Sequence, residues 1–133
     1  MSEQPLTSHS FSTKSKEKLA TVDKELQRLF NAAITNSPYD FGITEGIRSP
    51  ARQQQLYDEG KSQTLNSRHI VGKAVDVVIY VDGKVTWDFD KYKVLADHIK
   101  KVSVALNVPI VWGGDWESFR DGVHFQLDGN IYK

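Results

Sequence analysis

Apolar residues recur at helical spacing from near Ser15 onward, as Leu19, Val22, Leu26, Leu29, Phe30, Ala33 and Ile34. That period puts them on one stripe of an amphipathic helix. Ser37-Pro38 ends it, because a residue before proline is pushed out of the helical region. Phe41 to Ile47 reads as a short strand. Ser49-Pro50 then opens a helix carrying Gln53 to Tyr57, with proline in its favoured first-turn place and Gly60 as the stop. Lys61 to Arg68 is polar and reads as a loop. Ala74 to Val81 (Ala-Val-Asp-Val-Val-Ile-Tyr-Val) is the strongest strand, ending at the Asp82-Gly83 turn. Lys84 to Trp87 can pair back as a hairpin arm. A helix from about Phe89 to Leu106 turns Tyr92, Leu95, Ala96, Ile99, Val102 and Leu106 inward, and Asn107 and Pro109 mark its end. Pro109 to Trp112 and Val123 to Leu127 are the last two strands, joined by a Gly-Gly-Asp-Trp loop. Helices and strands alternate, yet several strands are hairpin-linked. The pattern predicts an α+β fold, a small and mostly antiparallel sheet packed with helices.

A chain of 133 residues fits one domain. Residues 1–14 read as a flexible polar tail and 15–133 as a single domain. Seventeen basic residues balance seventeen acidic ones, and no basic stripe of the kind nucleic acid requires is visible. The chain has no cysteine, so any bound metal must be held by His, Asp or Glu. The N-terminus lacks the apolar core of a signal peptide, and no stretch is long and apolar enough to span a membrane. The expectation is synthesis in the cytoplasm, without stable membrane association.

Two constellations carry candidate chemistry. In Ser67-Arg68-His69-Ile70-Val71-Gly72-Lys73-Ala74-Val75-Asp76, His69 lies in a turn and Gly72 lets the backbone bend. Asp76 interrupts an apolar strand, on the face shared by Ala74 and Val78 and opposite Val75, Val77 and Ile79. A buried carboxylate needs a cation or several donors, and a metal shared with His69 would supply one. In Asp121-Gly122-Val123-His124-Phe125-Gln126, His124 opens the last strand with Asp121 three residues before it. Two histidines and one aspartate with an open fourth position match catalytic rather than structural zinc. Asp121 could then take a proton from water whose pKa the metal has lowered. The plainer alternatives are an exposed Asp76 on an edge strand and an Asp121-Gly122 that is merely a turn.

The Ser-x-His-x-x-Gly-x-Ala-x-Asp pattern at 67–76, followed by Asp121-x-x-His124, resembles the vancomycin-resistance-type D-alanyl carboxypeptidase family. That family includes phage L-alanyl-D-glutamate endopeptidases and shares its fold with the hedgehog signalling domain. Gly46-Ile47-Arg48-Ser49, Gln55-Leu56-Tyr57 and Trp112-Gly113-Gly114-Asp115-Trp116 agree with it, and the run from Lys18 to Val22 with Ser37 to Phe41 is similar to the phage branch. The resemblance implies that His69, Asp76 and His124 bind Zn2+, that Asp121 is the general base, and that Arg48 faces the substrate as a carboxylate or oxyanion holder. Ser67 either binds substrate or caps its turn. Asp115 either orients a zinc-bound histidine or caps its loop. Gln126 departs from the commoner His-x-Glu and His-x-His endings and is read as without a part in metal binding. His9 and His98 are read as solvated or structural.

The implied activity is hydrolysis of the stem peptide of bacterial peptidoglycan at the L-alanyl-D-glutamate bond. The implied setting is an endolysin that acts as a monomer and reaches the wall once a holin opens the inner membrane. A D-alanyl-D-alanine carboxypeptidase and a zinc-holding binding module without catalysis are the alternatives.

Overall fold

The computed structural model describes residues 9–62, 64, 67–118 and 120–129. The expected tail over residues 1–8, part of the expected loop at 63, 65 and 66, and positions 130–133 lie outside the described residues.

Among the described residues four α-helices and a five-stranded sheet follow in the order α1 (Thr13–Leu19), α2 (Lys24–Ile34), β1 (Asp40–Glu45), α3 (Pro50–Asp58), β2 (Ala74–Val81), β3 (Lys84–Thr86), α4 (Phe89–Leu106), β4 (Ile110–Trp112) and β5 (His124–Leu127). The strands lie in the order β1-β2-β5-β4, all antiparallel, and β3 pairs with the far end of β2. The fold is α+β. Among the described residues no helix is long and apolar enough to cross a membrane.

Two faces of the sheet have different tasks. Val75, Val77 and Ile79 of β2 join Phe41, Ile43, Phe125 and Leu127 in the core, under Leu26, Leu29 and Phe30 of α2 and Leu95 and Ile99 of α4. Each large apolar side chain buried there contributes about 1.5–3 kcal/mol. Alternation turns Asp76, His124 and Gln126 to the other face. That second face is where a site can form.

The helical period from Ser15 to Ile34 belongs to two helices, not one. Thr21 Oγ1 donates to the Lys18 carbonyl at 2.6 Å, and the Asp23 N–H donates to the Gly72 carbonyl at 2.8 Å. Asp23 then caps α2 by accepting from the Glu25 N–H. Leu19 and Val22 still meet the same core as Leu26, so the apolar period runs through the break.

The packed chain also begins earlier than the expected boundary after residue 14. Ser12 caps α1, and Phe11 is buried edge-on against Phe41 with ring centroids 5.4 Å apart. The first strand ends at Glu45 instead of Ile47. The register with β2 shifts between Ile43 and Glu45, and the next N–H groups leave the ladder. Ile47 donates to Thr21 Oγ1 and Arg48 to the His69 carbonyl. This departure carries Arg48 toward β2's Asp76.

Candidate metal centre and active-site cleft

β2 and β5 pair with Asp76 directly opposite His124, so their side chains meet on the face away from the core. His69 reaches the same point from the turn before β2. Its N–H is capped by Ser67 Oγ at 3.1 Å, and Gly72 completes the turn at φ 71°, a conformation that suits glycine.

The His69 ring is almost wholly buried, and its Nδ1–H donates to the Gly46 carbonyl at 2.8 Å. In the neutral ring the lone pair then lies on the other nitrogen, Nε2, which faces Asp76 Oδ1 at 3.1 Å. His124 Nε2 lies 2.9 Å from Gln126 Oε1, and its Nδ1 faces the same Asp76 oxygen at 3.3 Å. Three electron-pair donors thus converge on one point. Lone pairs so placed repel unless a cation lies between them, either protons on the imidazoles or a metal ion.

The donor set fits a metal. Among the described residues, His69, Asp76 and His124 form a group whose ligand atoms all lie within 4.8 Å of one another. Tetrahedral zinc with bonds of ~2.0–2.1 Å separates its ligand atoms by ~3.3 Å, close to the two distances measured from Asp76 Oδ1. The His-Asp-His set is a nitrogen and oxygen set of the sort catalytic zinc takes.

Asp76 has partners on both oxygens. Arg48 Nη2 donates to Oδ2 at 3.4 Å, while Nε and Nη2 clasp Glu45 at 2.8 and 2.9 Å and Nη1 donates to Gln53 Oε1 at 2.8 Å. Arg48 is 8% exposed, and among the described residues four of its five N–H donors are engaged. Burial alone would raise the Asp76 carboxyl. Hydrogen bonds from His124 and His69, and their charge, overcome it and hold the group well below the ordinary carboxylate range. His124 is shifted the other way. Burial pulls its pKa down, but Asp76, Gln126 and Asp121 together push it above 6.5.

Asp121 lies on the wall of the same cleft. Its N–H donates to the Gly113 carbonyl at 3.1 Å and its carbonyl accepts from the His124 N–H at 3.1 Å. Gly113 packs so close that a Cβ there would collide with the Asp121 carbonyl. Trp112 Nε1 donates to the Gly122 carbonyl at 2.8 Å, which pins the turn from the core side. Burial, and next the Asp76 charge, push the Asp121 carboxyl above 3.8, against the pull of His124 and the Val123 N–H. A raised carboxyl is better matched to proton transfer near neutral pH.

The cleft encloses about 650 Å³ and opens to solvent, with Glu45, Arg48, Ser67, Trp116, Arg120 and Asp121 around the three converging side chains. Trp116 leans on the His124 ring at 5.2 Å between centroids. Asp115 points elsewhere: it pairs with Lys100 of α4 and is 54% exposed. His98 Nε2 meets the Ala33 carbonyl at 2.9 Å and ties α4 to α2, and His9 lies 4.0 Å from Asp40, so neither belongs to the cleft. Glu45 and Gln53, which anchor Arg48, had no motif to announce them.

The fold is α+β, and its cleft gathers a possible metal-binding trio beside Asp121. The chain belongs to the phage L-alanyl-D-glutamate peptidase family, which matches residues 7–129. It is 34% identical over 129 residues to the L-alanyl-D-glutamate peptidase of Escherichia phage T5, covering 94% of this chain and 93% of that one. It is 30% identical over 125 residues to the peptidoglycan L-alanyl-D-glutamate endopeptidase CwlK of Bacillus subtilis, covering 84% and 75%. The crystal structure of the Serratia marcescens L-Ala D-Glu endopeptidase ChiX superposes with a TM-score of 0.87 at 38% identity, covering 93% of this chain and 94% of that one.

Proposed function

We propose that this chain is a zinc peptidase that hydrolyses the L-alanyl-D-glutamate bond of the peptidoglycan stem peptide, in the role of a phage or prophage endolysin. The observation that carries the reading is the convergence of His69 Nε2, Asp76 Oδ1 and His124 Nδ1 in an open cleft walled by Asp121. The names of the relatives support the choice of bond.

His69, Asp76 and His124 would hold the zinc. When bound, it would supply Lewis-acid polarisation of a carbonyl and a lowered pKa for water. Asp121 takes the proton of the attacking water and delivers it to the leaving amine of D-glutamate. Arg48 holds Asp76 by its second oxygen and keeps one Nη1 N–H for a substrate or oxyanion contact. Ser67 both caps the His69 turn and borders the cleft. The packed chain from Phe11 onward acts as one peptidase domain in this scheme, working as a monomer on the wall after release across the inner membrane.

Digestion of purified peptidoglycan followed by mass spectrometry of the products tests the bond. New L-alanine C-termini paired with D-glutamate N-termini are expected. Free D-alanine alone would assign a carboxypeptidase instead, and an unaltered wall would leave only a binding module.

Arg48→Lys separates two tasks for that residue. The change keeps a charge but loses the planar fork that holds Glu45 and Asp76. As a residue supporting a metal ligand, its loss should lower kcat roughly 10–100-fold with KM for a soluble muropeptide little changed. A raised KM with kcat intact would instead make Arg48 a pure substrate-carboxylate binder.

A further inference from the structure

An imidazole has two nitrogens, and only the one without a proton can ligate a metal. For His69 a backbone carbonyl makes that choice. For His124 the neighbour is a side chain, Gln126, whose Oε1 lies 2.9 Å from Nε2. The strand register brings it there. Residues 124 and 126 share one face of β5, Asp76 stands across from His124, and the small Ala74 stands across from Gln126.

We infer that Gln126 is a positioning residue: its amide oxygen accepts the His124 Nε2–H and thereby makes Nδ1 the atom offered to the metal. The inference rests on the zinc reading above and deepens it. Donor and acceptor chemistry leaves one consistent arrangement. With Nδ1 turned to a metal, Nε2 must carry the hydrogen, so Gln126 must present its carbonyl oxygen to the ring. Turning the amide round would set an NH2 against an N–H. The oxygen also keeps the ring from rotating, since Nδ1 faces Asp76 Oδ1 only while Nε2 stays on Gln126. Gln126 is neutral, so it adds no further charge beside Asp76 and Asp121.

The test uses the full chain with Gln126→Leu, which removes the acceptor, and Gln126→Glu, which restores one. Gln126 is only half-buried on the cleft face, so both variants should fold, as circular dichroism will check. Zinc affinity, measured by competition with a chromophoric chelator at fixed neutral pH, should fall roughly 10–100-fold in Gln126→Leu. Gln126→Glu should stay near the wild type. In the zinc-loaded wild type, long-range proton–nitrogen correlation spectra should show His124 Nε2 protonated and Nδ1 bound. Unchanged affinity in Gln126→Leu, an equal loss in Gln126→Glu, or a protonated Nδ1 would each overturn the role of Gln126 while zinc binding by the wild type stands. A wild type that takes up no zinc would overturn the zinc reading and this inference together.

Discussion

Asp121→Asn should leave the protein folded and loaded with zinc while kcat falls roughly 10²–10⁴-fold, the usual contribution of a positioned acid–base group. The substitution is nearly isosteric. The backbone bonds that fix this turn, from Asp121 N–H to Gly113 and from His124 N–H to Asp121, do not involve the side chain. An asparagine oxygen can still accept from the Val123 N–H, the side-chain contact that steadies the carboxylate. What disappears is basicity. Asp121 is suited to supply it because burial and the nearby Asp76 charge raise its carboxyl from its ordinary value. Zinc content by atomic absorption and turnover of a soluble muropeptide check the two halves separately. A rate within tenfold of the wild type would remove Asp121 from proton transfer. Loss of zinc would make it a fourth ligand and close the position that hydrolysis needs.

Elements that announce themselves in the sequence are those whose fate is decided locally. β2 is one: six of its eight residues are β-branched or aromatic, it carries a single charge, and the turn at Asp82-Gly83 stops it. α4 is another, between Asp88 and a left-handed Asn107. The break between α1 and α2 was hidden because Leu19, Val22 and Leu26 all bury into one core, so their period continues while the backbone turns. Thr21 and Asp23 make that turn through partners at Ile47 and Gly72, far along the chain. Phe11 was hidden for a similar reason, since its partner Phe41 lies beyond two helices.

The cleft divides along the same line. His69, Asp76 and His124 stand out because a carboxylate in an apolar strand and histidines beside glycine turns are locally odd. Their supporting groups are ordinary side chains whose roles follow from strand register and loop path. Arg48 could be picked out, but its clasp on Glu45 and Gln53 could not. Gln126 looked neutral and idle until the pairing of β2 with β5 put it against a ring nitrogen.

Removal of zinc should abolish activity and lower the melting temperature, and the size of the drop should depend on pH. With free zinc at about a thousand times its Kd, binding stabilises the native state by ~4 kcal/mol, or roughly 10–15 °C for a domain of this size. Zinc requires neutral imidazoles, whereas the metal-free His124 has a pKa raised above 6.5 by Asp76, Gln126 and Asp121. A group raised on folding stabilises the metal-free protein below its unfolded pKa and loses that contribution as pH rises through the folded value. Protons and zinc therefore compete for the same cluster. Near pH 6 a proton on His124 partly replaces the metal, so chelation should cost little. From pH 6 toward pH 8 the proton on His124 is held less and less firmly, as for any group whose pKa is raised on folding, and the gap should widen. Calorimetry with and without a chelator at the two pH values measures it. Asp76→Ala should erase the zinc-dependent shift at both, because the oxygen that faces both imidazoles is gone. A gap that stays constant from pH 6 to 8 would mean that His124 gives up no proton to the metal, and the competition between protons and zinc at this cluster would be overturned.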